Sequence, residues 1–147
     1  MEADPPRFRV SSFEFPASIP MSKRILIIDD EDDIREVAQL SLEAARDWQV
    51  LTARSGREGL VSAGAERPDA ILLDVMMPDM DGPATLLELR ANPATQLIPV
   101  IFLTAKVQSA DRRRFANLGA RAVISKPFDP LRLAEQVAIA FGWEGSK

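Results

Sequence analysis

Four short apolar runs in this chain each end in a polar or charged residue, and the endings fit together chemically. Ile25 to Ile28 runs into Asp29-Asp30, Ala70 to Leu73 into Asp74, Val100 to Leu103 into Thr104, and Ala122 to Ser125 into Lys126-Pro127. Near-continuous apolar runs belong to strands buried on both faces, because a strand with one wet face alternates instead. Parallel strands put all their carboxyl ends on one rim of the sheet. That rim would hold three carboxylates, a hydroxyl and an ammonium group, a set able to bind a hard cation and a phosphoryl group together.

Helical patterns separate the runs. Ile34, Val37, Ala38, Ser41 and Ala45 recur at helical spacing after the first strand, with Asp33 and Glu36 spaced as a capping box. Trp48 to Ala53 reads as a second strand. Ser55 and Glu58 repeat the capping-box spacing and open a helix that stops before Pro68. The third strand ends at Asp74, and the proline- and glycine-rich stretch from Met77 to Pro83 is a loop. A short helix through Leu86, Leu87 and Arg90 stops at Asn92-Pro93, and a fourth strand spans Ile98 to Leu103. Val107, Ala110, Phe115 and Leu118 place the next helix on the core, with Gly119 as its C-cap and Arg112 and Arg113 facing outward. The fifth strand is Ala122 to Ser125, and the last helix spans Pro130 to Phe141, ended by Gly142. Strands and helices in strict alternation predict an α/β fold: a doubly wound, five-stranded parallel sheet covered on both faces, with ligands bound beyond the carboxyl ends of its strands.

Composition bounds the chemistry. The 147 residues suit one domain, and 46% apolar residues suffice for a core. Pro5-Pro6, Pro16 and Pro20 break any periodicity, so residues 1–21 read as a flexible N-terminal arm and 22–147 as the domain. The formal net charge of -4 favours neither nucleic acid nor an anionic membrane surface. No run reaches the ~18 apolar residues of a membrane span. The absence of cysteine fits a cytoplasmic protein and removes thiolate metal sites. There is also no histidine, so imidazole zinc sites and Ser-His-Asp chemistry are out and any metal must sit among oxygens: magnesium, manganese or calcium.

Three crowded carboxylates repel one another, and a divalent cation removes that conflict. Asp74 stands alone at the end of a central strand and is the best candidate for a nucleophile that forms an aspartyl phosphate. The adjacent pair Asp29 and Asp30 is better placed to share the cation. Mg²⁺, Lys126 and Thr104 would supply positive charge and a donor to the phosphoryl oxygens.

These residues, in this order and at these separations, resemble the receiver domain of two-component response regulators. The matching pieces are Ile28-Asp29-Asp30-Glu31, Leu73-Asp74-Val75-Met76-Met77-Pro78, Met80-Asp81-Gly82, Leu103-Thr104-Ala105 and Lys126-Pro127-Phe128, within residues 23 to about 142. The resemblance implies a flavodoxin-like (βα)5 fold with strand order 2-1-3-4-5 and Asp74 as phosphoacceptor. It implies Mg²⁺ ligation by Asp30, Asp74 and the backbone carbonyl of Met76, with Asp29 acting through a water on the metal. Thr104 would move toward the phosphoryl group, Lys126 would pair with it, and the Lys126-Pro127 bond would be cis. The donor would be a phosphohistidine on a histidine kinase or a histidine phosphotransfer protein, and the output a downstream protein target. The expected behaviour is that of a stand-alone switch, monomeric or weakly homodimeric, with only self-directed phosphotransfer and dephosphorylation rather than enzymatic turnover.

One position departs from the pattern. Many receivers carry Tyr or Phe three residues before the strand-five lysine. This chain has Val123 there and no tyrosine at all, so a swinging ring cannot carry its signal. Two rivals stand beside the switch. A receiver-like binding module that ignores phosphorylation would not need the complete set of Asp29, Asp30, Asp74, Thr104 and Lys126. A magnesium phosphohydrolase would want a second acid-base aspartate just after its nucleophile, where this chain has Met76. Taken singly, the Asp29–Asp33 run is a solvated acidic loop, Arg112–Arg114 a solvated helix face, and Met76, Met77 and Met80 packing residues.

Overall fold

A computed structural model describes residues 22–105 and 108–143. The arm expected over residues 1–21, and Val107 with its expected core contact, fall outside the described residues. Five strands, β1 (Arg24–Ile28), β2 (Gln49–Ala53), β3 (Ala70–Asp74), β4 (Val100–Thr104) and β5 (Ala122–Ser125), alternate with five helices, α1 (Asp32–Ala45), α2 (Gly56–Glu66), α3 (Gly82–Ala91), α4 (Ser109–Asn117) and α5 (Leu133–Phe141). All strand pairs are parallel, in the order β2-β1-β3-β4-β5. β3 and β4 are buried along their whole length, whereas the edge strands β2 and β5 are only partly buried. That difference explains why the central runs lack polar residues while Gln49 and Thr52 are exposed on β2.

Side chains alternate between two cores, as the period of a strand requires. Ile25 and Ile27 join Leu72, Leu103, Ala38 and Leu42 of α1, and Leu133, Val137 and Phe141 of α5. Leu26 and Ile28 join Leu73, Ala63 of α2, Leu86 and Leu89 of α3, and Phe102, whose ring lies 4.8 Å from that of Phe115 on α4. Helices therefore cover both faces. Trp143 folds back against Phe141 and Trp48, at 5.1 and 5.5 Å between ring centroids.

Several boundaries shift for identifiable reasons. α1 opens at Asp32, so Asp33 is already helical and cannot cap with Glu36; Glu31 is the N-cap and makes no side-chain cap bond. The buried stripe of α1 is Ala38 and Leu42, with Val37 and Ala45 exposed, because the helix leans on α5 through a rotated face. Ser55 does cap α2, accepting from the Glu58 N–H at 3.1 Å, but the Glu58 carboxylate accepts from the Arg54 N–H rather than from Ser55. β4 starts at Val100 rather than Ile98, since Pro99 has no N–H for the ladder. Ala110 is exposed, and Phe115 carries the core contact of α4; Arg112 and Arg113 are exposed as expected. Gly119 lies one residue past the Leu118 cap with φ 103°. α5 begins at Leu133 rather than Pro130, because Asp129 captures the Leu131 N–H in a side-chain turn at 2.9 Å.

Gly82 opens α3 directly beneath the rim. A Cβ there would lie 2.5 Å from the Asp74 carbonyl oxygen and 2.8 Å from Val75 Cα, both backbone atoms that cannot swing aside. Gly82→Ala is therefore expected to destabilise the fold by about 1–3 kcal/mol through overpacking. A urea midpoint equal to that of the parent would contradict this account of the turn.

Candidate functional site

Strand register assembles the rim. Ile28 pairs with Leu73, so Asp29 follows level with Asp74. Asp74 pairs with Leu103, so Thr104 stands one residue beyond it, and Thr104 pairs with Ser125, the residue before Lys126. The Asp29 N–H continues the ladder to the Ala53 carbonyl at 3.1 Å, and the Lys126 N–H donates to the Thr104 carbonyl at 2.9 Å. Backbone pairing thus fixes the origins of all these side chains before any side-chain contact forms. The Lys126-Pro127 bond is cis, as the resemblance implied.

The Lys126 ammonium sits among carboxylates. Its Nζ lies 2.8 Å from Asp29 Oδ2, 3.1 Å from Asp74 Oδ1 and 3.3 Å from Glu31 Oε1. Asp29 is 0% and Asp74 3% exposed. Asp29 Oδ2 is sealed from solvent and meets the ammonium directly, and no other donor among the described residues reaches it. The other oxygen of Asp29 accepts from the Glu31 N–H at 2.9 Å.

Burial pushes the Asp74 carboxyl up to about 7, and the neighbouring Asp29 charge adds to the rise. Lys126 opposes it by charge and hydrogen bond without cancelling it. Burial alone would pull the Lys126 ammonium down, but its contacts with Asp29 and Asp74 outweigh this and raise it. Both partners of one ion pair are thus shifted upward, because two acids compete for one ammonium.

Asp29, Asp30 and Asp74 each present an oxygen within 4.8 Å of the others. This donor set fits a hard divalent cation on two grounds. It is all oxygen, and Asp29 and Asp74 are buried with a single ammonium between them, so a divalent cation would offset the negative charge left over. Met76, two residues past Asp74, has a 62% exposed side chain, and its N–H makes a long 3.4 Å contact with Asp74 Oδ1. Met77, by contrast, is buried in the core below α2 and α3. Thr104 is buried at the end of β4. Val123, on β5, packs partly buried against the core that contains Phe102 and Phe115.

Every site residue expected from the sequence thus reaches one rim. Two further residues join them that sequence reasoning did not single out. Glu31 was only one member of an acidic run, yet it reaches Lys126. Arg35 donates to the Asp29 carbonyl at 2.7 Å and to the Asp32 carboxylate, tying down the loop that carries the acids. The spacing of Asp32 and Arg35 advertises their pairing on a helix, but nothing in the sequence advertises the contact with Asp29.

A family model for the response regulator receiver domain matches residues 25–138. The chain belongs to the response regulator receiver family. Members are phosphoacceptor domains of two-component signalling. The chain is 38% identical over 117 residues to the alkaline phosphatase synthesis transcriptional regulatory protein PhoP of Bacillus subtilis, covering 80% of this chain and 48% of PhoP. It is likewise 38% identical over 106 residues to response regulator Rre1 of Synechocystis, covering 72% of this chain and 46% of Rre1. The chain therefore spans about half the length of these relatives. The structure of the Vibrio cholerae chemotaxis protein CheY4 superposes with a TM-score of 0.76 at 29% identity, covering 82% of this chain and 99% of CheY4. The receiver fold and its 2-1-3-4-5 strand order are those expected from the sequence. Among the described residues, no helix of this receiver is long and apolar enough to cross a membrane.

Proposed function

We propose that this receiver accepts a phosphoryl group on Asp74 from a phosphohistidine of a histidine kinase or histidine phosphotransfer protein, and signals by a change of surface. The observation that carries the reading is the Lys126 ammonium held 2.8 and 3.1 Å from two buried carboxylates, one of them a strand-end aspartate. In the transfer, an Asp74 oxygen attacks phosphorus as the P–N bond breaks. The electron pair stays on the partner's imidazole nitrogen, which takes up a proton from solvent. Lys126 meets the negative charge on the equatorial oxygens, and the Thr104 hydroxyl donates to one of them.

Asp29, Asp30, Asp74 and the Met76 carbonyl are the groups that would hold Mg²⁺. When bound, the ion offsets the repulsion among the carboxylates and supplies positive charge to the transferring group. Lys126 keeps the acceptor carboxylate oriented in the meantime. The protein is a cytoplasmic switch in this reading, not a turnover enzyme, and its target is a protein rather than nucleic acid.

Incubation with a small acyl phosphate and Mg²⁺, followed by intact-mass measurement, tests this. The parent should gain one phosphoryl group and Asp74→Asn none. No gain in the parent would leave a phosphorylation-independent binding module. Equal gain in both would move the acceptor elsewhere.

A further inference from the structure

The Lys126 ammonium carries three N–H bonds, and three carboxylates surround it. They are not equivalent. Asp29 is fully buried, and Asp74 is the acceptor itself. Glu31 is held by its backbone, not its side chain. Its N–H donates to Asp29 Oδ1 at 2.9 Å, and its carbonyl accepts the Arg35 N–H at 3.1 Å. Its carboxylate, 61% exposed, reaches inward from the mouth of the site to Lys126 at 3.3 Å. This contact spans 95 positions of sequence and draws an N-cap side chain away from capping α1.

Resting on the phosphoacceptor reading above, we propose that Glu31 is a positioning residue that parks Lys126 and is displaced from it by the incoming phosphoryl group. A phosphoryl group bonded to Asp74 needs an ammonium N–H for its own oxygens. Of the three occupants, only the Glu31 carboxylate can leave for water without exposing or stranding a buried charge. Its departure costs little, since exposed ion pairs contribute weakly. Glu31 therefore competes with the phosphoryl group for Lys126 and sets how readily the loaded state forms. The effect depends on reach as well as charge: an aspartate at the same backbone position keeps the negative charge at the mouth but is one methylene too short to hold the ammonium.

Fluoroberyllate, a phosphoryl mimic, provides the test in the full chain with saturating Mg²⁺. Glu31→Gln and Glu31→Asp should both tighten its apparent affinity by about two- to five-fold, the range set by an exposed ion pair. Glu36→Gln, which removes an exposed charge farther along α1, should leave it unchanged. In the metal-free protein, the Lys126 13Cε resonance should shift in both Glu31 variants and not in Glu36→Gln. An affinity for Glu31→Asp equal to that of the parent would overturn the proposal, reducing Glu31 to a charge at the mouth. So would an unmoved Lys126 resonance. Failure of the parent to bind fluoroberyllate at all would overturn the phosphoacceptor reading and this inference with it.

Discussion

Lys126→Ala is expected to destabilise the metal-free protein by about 3–5 kcal/mol at pH 7.5, the usual cost of removing one partner from a buried ion pair. The loss is large because both remaining acids are buried: Asp29 is wholly enclosed and Asp74 nearly so. The Lys126 side chain is itself only 12% exposed, so water does not already screen the contact. Its removal leaves Asp29 and Asp74 facing each other with no cation between them. Mg²⁺ should restore much of the loss, since a bound ion replaces the missing positive charge, and the restoration should grow with metal concentration as mass action requires. Urea denaturation with and without Mg²⁺ measures both effects. A metal-free loss below about 1 kcal/mol would show that the ammonium contributes no more than a surface pair.

Asp74→Asn should act in the opposite direction. The folded-state pKa of Asp74, raised to about 7, lies above its ordinary value of 3.8. Between those values the native state holds a proton that the unfolded chain has released, so stability falls as pH rises through this window. Asparagine is a near-isostere of the protonated acid and carries no such dependence. The variant and the parent should therefore be similar near pH 4. By pH 8 the variant should be more stable by roughly 2–4 kcal/mol in the absence of metal, the upper figure corresponding to the full shift at about 1.4 kcal/mol per unit. Saturating Mg²⁺ should narrow the gap by stabilising the parent more. Parallel stability profiles for parent and variant across pH 4 to 8 would contradict the buried, charge-crowded environment described for Asp74.

The two effects share a cause. The rim holds more negative charge than its single ammonium can neutralise, and that imbalance lies where the proposed cation and phosphoryl group would sit. A site built for stability alone would replace one acid with a neutral residue. Gly82 makes the same point sterically: close backbone approach beneath Asp74 leaves no room for a side chain.

Central features of this molecule were legible in its residues for reasons that are local. The apolar runs of β1, β3 and β4 do not alternate, so they had to be buried on both faces, and the helical stretch between each pair of strands fixed their parallel sense. Once the strands are parallel, Asp29, Asp30, Asp74, Thr104 and Lys126 must share one rim, because every strand ends there.

Other features were settled by contacts between distant parts of the chain. Helix spacing put Val37 on the apolar stripe of α1 and passed over the buried Leu42, because the rotation of that helix is set by packing against α5. Nor could the run Asp29–Asp33 reveal its own division of labour. Asp29 is sealed against Lys126, Glu31 bends toward the same ammonium from the mouth, and Asp32 pairs with Arg35. Neighbouring carboxylates look alike in sequence; only the fold assigns each a different dielectric surrounding and a different cation. The sequence by itself determined that Asp29, Asp30, Asp74, Thr104 and Lys126 meet at one rim, since strand direction follows from local pattern. The tertiary structure decided which of them are buried, paired or free to move, since those properties depend on register and side-chain reach across the whole sheet.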